Sequence, residues 1–288
     1  CCDIYRAGDG VHREWLAQRS RVLGPIARLG IRLNPYHRYT LAAEHRLFAS
    51  PRLQAVICNS RMVKEEIMRH FGVAQDKLHV IYSGVDLEAF HPRLKDMHRQ
   101  AVRAWLGIPA DGTLFLFVGS GFERKGLAAA LRALARLPAT AHLAIVGHDR
   151  HARRYEHLAA QMGLARRAHF LGARQDVKPY YGAADAVVLP TLYDPFPNVA
   201  LEALACGLPL ITSSKSGAAE FIRHGENGFV CDALDVEAIS TAMLGLLDSS
   251  RAAALGEQAR LCVRDHGLAA MSEELLALYR RLLQRPKV

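Results

Sequence analysis

Short apolar segments alternate with stretches of helical periodicity along most of the chain. Between the first two apolar segments, a helical stretch over 60–70 begins with Ser60 as its N-cap. Parallel strands need a crossover connection, usually a helix, so this alternation predicts an α/β fold with parallel sheets. The predicted strands are 55–58, 78–82, 113–118, 142–146, 168–171, 186–189 and 210–212, with a further candidate at 228–230.

The predicted strands are unevenly distributed, which indicates two domains. The segment 84–92 has the composition of a turn and linker, so the first domain is predicted to span 1–92 and the second 93–265. A Rossmann-like half usually has five or six strands, whereas 1–92 contains two or three, so we expect this acceptor-side domain to lack its opening strands. The last segment, 266–288, is predicted to form a helix that packs back toward the first domain. The chain has 288 residues, half of them hydrophobic, which is enough to form the hydrophobic cores of two domains.

The net charge of +9 predicts an anionic partner. Much of it lies in a basic segment, 12–52, where eight arginines face only two acids and apolar and aromatic residues lie between them. This composition suits the interface of an anionic membrane. The alternative is an interdomain helix pair with a solvated basic face. Nucleic acid is not predicted as a partner, because aromatic residues are few and no reader motif is present.

Several classes of protein are not indicated by the sequence. No run of about twenty apolar residues predicts a membrane-spanning helix. Six cysteines and fourteen histidines show no metal-ligand spacing, and Gly-x-Ser-x-Gly is absent. The first residue is Cys1 and no signal peptide is recognisable, so we expect a fragment of a cytoplasmic protein with reduced cysteines.

A glycine-rich basic segment, 119–126, follows a predicted strand and precedes a helix predicted to end at 137. It reads Gly-Ser-Gly-Phe-Glu-Arg-Lys-Gly and matches neither the dinucleotide fingerprint nor the phosphate loop of nucleotide hydrolases. Its two cations, Arg124 and Lys125, come from the carboxyl end of a strand, where open α/β sheets bind ligands. Guanidinium and ammonium groups are typical phosphate partners. The alternative is an ordinary solvated basic loop.

Two carboxylates, Asp194 and Glu202, bracket the start of another predicted helix. Pro195 and Pro197 keep the preceding chain extended, so the helix opens at Pro197 or Asn198; it ends near residue 207. The first turn of such a helix offers unpaired N–H groups and a positive dipole end, which suit a phosphate. Glu202 lies about one turn further on, within reach of hydroxyls on whatever carries that phosphate.

Together these two segments resemble retaining glycosyltransferases of the GT-B fold, which have two Rossmann-like domains facing a cleft. The resemblance implies that Asp194 contacts the donor sugar and that Glu202 holds the ribose of the nucleotide. The family usually has Glu at the first position, and Asp is one methylene shorter. The resemblance further implies that Arg124 and Lys125 clamp the diphosphate and that the remaining donor-binding residues are Gly119, Gly121, Arg174, Val177, Pro197, Asn198 and Val199. At 174–177, where the family holds the nucleobase, a plain loop capped by Asp176 is an equal alternative.

The segment 3–12 is similar to bacterial α-1,3-glucosyltransferases that add glucose to heptose in the lipopolysaccharide core. This resemblance implies transfer of a hexose from a UDP-sugar to that acceptor, by a protein that is peripheral to the inner membrane. The residues do not indicate which hexose the donor carries. Because no Asp-x-Asp motif is present, we predict metal-independent transfer without a cofactor. Two alternatives stay open: a nucleotide-sugar epimerase of the same fold, or an inactive truncated module that binds anionic membranes.

Overall fold

The computed structural model describes residues 2–284 and contains two parallel β-sheets flanked by helices. The first sheet has the order β1-β2-β3, where β1 is Ile4–Ala7, β2 is Ala55–Cys58 and β3 is Leu78–Val80. The predicted α/β class with parallel sheets is confirmed. Strand β3 ends two residues earlier than predicted, because the chain leaves the sheet at Ile81 on its way to the linker.

Four helices accompany this sheet. Helix α4 (Arg61–Phe71) begins as predicted, with the Ser60 hydroxyl accepting the Val63 N–H at 3.2 Å. The basic segment between β1 and β2 forms three helices: α1 (His12–Ser20), α2 (Pro25–Leu33) and α3 (Pro35–Phe48). No residue of α2 is buried, and Ile26, Leu29 and Leu33 of this helix are exposed.

The second sheet has six strands, and β4, β5, β7 and β8 are buried along their whole length. Its strands are β4 (Thr113–Val118), β5 (Ala141–Val146), β6 (Ala168–Gly172), β7 (Ala186–Leu189), β8 (Leu210–Ser213) and β9 (Gly228–Cys231). Its helices are α5 (Leu94–Trp105), α6 (Phe122–Lys125), α7 (Leu127–Leu134), α8 (Ala152–Gln161), α9 (Lys178–Ala183), α10 (Asn198–Ala205), α11 (Val236–Leu244), α12 (Ser249–Val263) and α13 (Leu268–Leu283). Two 3₁₀ turns, Gln75–Lys77 and Gly217–Phe221, complete the elements.

The order of the second sheet is β6-β5-β4-β7-β8-β9, so the direction of winding reverses between β4 and β7. In open α/β sheets a crevice forms at such a reversal, at the carboxyl ends of the strands. The loop after β4 carries the glycine-rich basic segment, and the chain after β7 leads to Asp194. The topology therefore brings the two segments predicted to bind the donor to the same edge of the sheet.

The glycine-rich segment differs from the prediction in its helices. Residues 122–125 form the short helix α6, and the following helix ends at Leu134 rather than 137. Gly126 separates the two helices with a φ of +80°, a conformation that glycine adopts easily and other residues do not. Arg124 and Lys125 are thus held on a helical turn rather than on an extended loop.

The C-terminal helix α13 lies against the first sheet. Leu278 is 1% exposed and packs with Ile57 and Ile81, and backbone atoms of the linker contact the start of the helix, with the Val85 N–H 3.0 Å from the His266 carbonyl. Residues 285–288 of the predicted helix lie outside the described part of the chain.

Candidate functional site

A cavity of about 360 Å³ lies between the carboxyl ends of the two sheets; we call it the cleft cavity. One wall follows β1 and β2 of the first sheet, and the other is formed by α6 and the start of α10. The lining residues are Arg6, Gly8, Asp9, Asn59, Ser83, Arg124, Lys125, Asp194, Phe196, Pro197 and Asn198. Both predicted cations, the first acid and the helix opening thus face one space.

Lys125 and Asp194 form an ion pair in this cavity, although 69 residues separate them in the sequence. Their side chains are 18% and 7% exposed, so both charges are largely withdrawn from water. Interactions between charges strengthen when water is excluded, and such a buried pair is costly to break. The backbone of Asp194 is fixed by two further hydrogen bonds, to the Lys215 carbonyl and from the Gly217 N–H, each 2.9 Å long.

Arg124 is anchored to the chain that follows β7. Its carbonyl oxygen accepts hydrogen bonds from the Leu192 N–H and the Thr191 hydroxyl, each at 2.8 Å. Its guanidinium Nε donates to the Tyr193 carbonyl at 2.9 Å, and the guanidinium carbon Cζ lies 5.9 Å from the ring centroid of Trp15. These contacts leave Arg124 at the border between the two halves of the molecule.

Helix α10 opens toward the cleft cavity without a side-chain cap. Pro197 is its N-cap residue, and Pro197 and Asn198 line the cavity. The uncapped N–H groups of the first turn and the positive end of the helix dipole give this wall a preference for an anion.

Glu202 lies one turn further along α10 and is not among the residues that line the cleft cavity. The hydroxyl of Tyr181 donates to its Oε2 at 2.7 Å. Burial raises the pKa of Glu202, and this hydrogen bond opposes the increase by stabilising the ionised form.

Five other residues predicted to bind the donor belong to the second domain and lie outside the lining of the cleft cavity. Gly119 lies beneath the aliphatic stem of Lys125, and Gly121 is the N-cap of α6. Arg174 is exposed, with its guanidinium 5.8 Å from the ring centroid of Trp105, and Val177 is the N-cap of α9. Val199 follows Asn198 on α10 and is partly buried. None of these five residues lines the cleft cavity, so their assignment to the donor stays a prediction.

A second, larger cavity of about 800 Å³ adjoins the first, and we call it the side cavity. It shares Asp9 and Arg124 with the cleft cavity. Its remaining lining residues are Tyr5, Gly10, His12, Trp15, Tyr36, His37, Tyr39, Thr40, Ala43, Glu44, Arg46 and Leu47. Aromatic rings, hydroxyls and cations together suit a polar ligand with apolar faces, such as a sugar with an anionic substituent.

Titratable groups in the side cavity are perturbed by burial. His12 and His37 lie 3.0 Å apart through ring nitrogens, and burial lowers the pKa of both. The Glu44 carboxylate accepts the backbone N–H of His12 at 2.8 Å, and burial raises its pKa. Neutral imidazoles can both donate and accept hydrogen bonds, which favours binding of hydroxyl groups here.

The two halves of the molecule meet in a buried polar network beside the site. The Tyr193 hydroxyl accepts the Val11 N–H at 2.8 Å and donates to Glu66 at 2.7 Å. Lys215 lies 3.2 Å from Glu14 and 3.3 Å from Glu66. Burial raises the pKa of Glu66, since its side chain is 1% exposed. Because Tyr193 precedes Asp194, this network fixes the site relative to the first sheet.

Sequence reasoning missed one residue of the first domain that lines the cleft cavity, Asn59. Asn59 is 5% exposed; its amide nitrogen donates to the Gly8 carbonyl at 3.3 Å, and its Oδ1 has no partner within the described range 2–284. The signal was present, because Asn59 directly follows the predicted strand 55–58. Among the same described residues, no group of three or more His, Cys, Asp or Glu side chains is arranged to hold a metal.

Comparison with known proteins assigns the chain to a family. A model described as "Glycosyl transferases group 1" matches residues 98–261, and one described as "Glycosyltransferase Family 4" matches residues 10–89. The first match covers more than half of the sequence, and the chain belongs to the glycosyl transferases group 1 family.

Individual relatives agree with this assignment. The D-inositol 3-phosphate glycosyltransferase of Xylanimonas cellulosilytica is 32% identical over 80% of this chain, and the lipopolysaccharide glucosyltransferase WaaG of Escherichia coli is 28% identical over 79%. The matched regions span only 58% and 60% of those two proteins. The crystal structure of WaaG, a glycosyltransferase involved in lipopolysaccharide biosynthesis, superimposes with a TM-score of 0.80 at 26% identity, covering 96% of this chain and 74% of WaaG. The GT-B fold and the resemblance to lipopolysaccharide-core glucosyltransferases are confirmed.

Proposed function

We propose that the protein is a retaining glycosyltransferase that moves a hexose, proposed here to be glucose, from a UDP-sugar to a heptose of the lipopolysaccharide core. The observation that carries this proposal is the cleft cavity, where Arg124, Lys125, Asp194 and the opening of α10 face one space. Family membership and the likeness to WaaG of Escherichia coli support the reaction class.

In the proposed reaction the departing diphosphate is stabilised by positive groups placed before the reaction begins. Lys125 supplies a point charge, Arg124 a guanidinium, and α10 its backbone N–H groups. Asp194 orients the sugar and keeps Lys125 in place. An acceptor hydroxyl forms the new bond to the anomeric carbon on the face from which the diphosphate leaves, and its proton passes to the departing phosphate oxygen. These groups supply the positive charge that stabilises the departing diphosphate, so the proposal includes no metal and no cofactor.

The side cavity is the proposed acceptor site. It adjoins the cleft cavity at Asp9 and Arg124, so an acceptor hydroxyl held there can approach a donor sugar beside Asp194. Arg46 gives the side cavity a further cation for a phosphorylated acceptor.

Nucleotide binding tests the donor part of the proposal. We expect UDP to bind with measurable heat in isothermal titration calorimetry, and Glu202→Gln to weaken that binding by about tenfold or more, because hydrogen bonds to a charged group contribute about 1.5–3 kcal/mol. Glu237→Gln, an exposed glutamate of α11, is the matched control and should bind UDP like the parent. Absence of UDP binding by the parent would contradict the proposal. Product formed from UDP-glucose without an acceptor would instead favour the epimerase.

The proposal also places the protein on an anionic membrane through helix α2. Ile26, Leu29 and Leu33 lie on one face of this helix and are 89%, 57% and 64% exposed. Arg28 and Arg32 lie on the same helix, so apolar insertion and attraction to acidic headgroups act together. Within residues 2–284 the structure contains no helix with the length and hydropathy of a membrane span.

Vesicle binding tests this placement. We expect the double variant Ile26→Ser, Leu29→Ser to reduce binding to phosphatidylethanolamine–phosphatidylglycerol vesicles by about tenfold, because two apolar side chains are lost from the inserted face. Leu283→Ser removes a similarly exposed side chain (86%) from α13 and should leave binding unchanged. Equal losses in both variants, or no loss in either, would show that α2 is not the membrane contact. Sedimentation with the vesicles measures the bound fraction.

A further inference from the structure

We infer that Tyr181 is a positioning residue for the nucleotide, acting by holding the Glu202 carboxylate in the orientation that receives the ribose hydroxyls. This inference rests on the proposed function, in which Glu202 binds the ribose. The hydroxyl of Tyr181 donates to Oε2 of Glu202 at 2.7 Å. Among residues 2–284 this is the one side-chain hydrogen bond to Glu202, and it engages Oε2 and not Oε1.

In this arrangement one oxygen of the Glu202 carboxylate binds the protein and the other is open to the ligand. A carboxylate has two oxygens and about four lone-pair sites, so a bond from tyrosine to one oxygen leaves the other free for a hydroxyl donor. Without that bond the carboxyl group can rotate about its last torsion, and binding the nucleotide then includes the cost of fixing it. The bond also stabilises the ionised carboxylate, the form that accepts hydrogen bonds from hydroxyls.

Tyr181 is itself rigidly held. Its side chain is 1% exposed, and its ring packs edge-on against Phe90 with centroids 5.6 Å apart. It lies on α9, whose N-cap residue is Val177, and the Tyr181 N–H points to the Val177 carbonyl at 3.4 Å. One short helix therefore connects the predicted nucleobase loop with the predicted ribose carboxylate.

A comparison of two nucleotides tests the inference. We expect Tyr181→Phe, which keeps the ring and removes the hydroxyl, to weaken UDP binding about tenfold and to change the affinity for 2′,3′-dideoxy-UDP less than twofold. The dideoxy nucleotide cannot donate to Glu202, so an effect confined to UDP requires the ribose hydroxyls. Tyr180→Phe is the matched control: this neighbour on α9 is 8% exposed, its hydroxyl makes no side-chain hydrogen bond within the described range, and both affinities should be unchanged.

The outcomes separate this inference from the proposed function. If Tyr181→Phe weakens the binding of both nucleotides equally, the role of Tyr181 is merely structural. If both affinities are unchanged, Tyr181 has no role in nucleotide binding. Either result overturns the inference, whereas UDP binding by the parent still supports the proposed donor site. If the parent binds both nucleotides equally, Glu202 does not hold the ribose, and the inference falls with that assignment. If the parent binds neither, the proposed function falls as well.

Discussion

Replacing Lys125 with methionine is expected to lower kcat for sugar transfer by about 10³-fold. Removal of one preorganised electrostatic group typically costs 10²–10³ in kcat, and here the ion pair with Asp194 is lost too. Methionine keeps the aliphatic stem that covers Gly119, so the change removes charge with little loss of packing. UDP release from UDP-glucose in the presence of core acceptor measures the effect.

The same substitution leaves Asp194 buried without its partner, and this effect on stability must be separated from the effect on catalysis. Unpaired buried charges are strongly destabilising, so the melting temperature should fall as well. Adding Asp194→Asn should restore the melting temperature and leave kcat low. Lys95→Met, at an exposed position on α5, should change neither quantity. A kcat within threefold of the parent in Lys125→Met would exclude the proposed role of this ammonium group.

Much of the second domain could be predicted because its strands are continuous apolar runs bounded by turn residues. The strands 113–118 and 186–189 have the predicted bounds. The edge strand predicted at 228–230 is one residue longer in the structure and ends at Cys231. A strand that is buried on both faces is apolar at nearly every position, so its sequence alone predicts it. The helical turn α6 was missed, because four residues between glycines give no periodicity to read.

The residues that line the candidate site could be predicted where they belong to recognisable local motifs, and not where they meet only through the fold. Such motifs contain Arg124, Lys125, Asp194 and Asn198. The strand order of the second sheet brings these residues together. Tyr181 could not have been selected, since a tyrosine in a short helix has no pattern that points to a carboxylate 21 residues away. Contacts between the two sheets depend on packing that local sequence does not encode.

Gly126→Ala is expected to lower the free energy of unfolding by about 3–5 kcal/mol, from two additive causes. The first is backbone strain, because φ is +80° and a residue with a Cβ is disfavoured there. The second is steric: an added Cβ would lie 1.9 Å from the Pro190 carbonyl oxygen, a backbone atom that cannot rotate away. Urea unfolding followed by circular dichroism measures the change.

Gly163→Ala separates the two causes. Gly163 has a similar φ of +72°, but no atom lies within 4 Å of the added Cβ, so only the strain of about 1 kcal/mol applies. If the two alanine variants unfold at the same urea concentration, the close approach of α6 to the chain after β7 does not hold in solution. That approach is also what places the Arg124 carbonyl against Thr191 and Leu192. The folded fraction of Gly126→Ala should therefore bind UDP more weakly than the parent, while Gly163→Ala should bind it equally well.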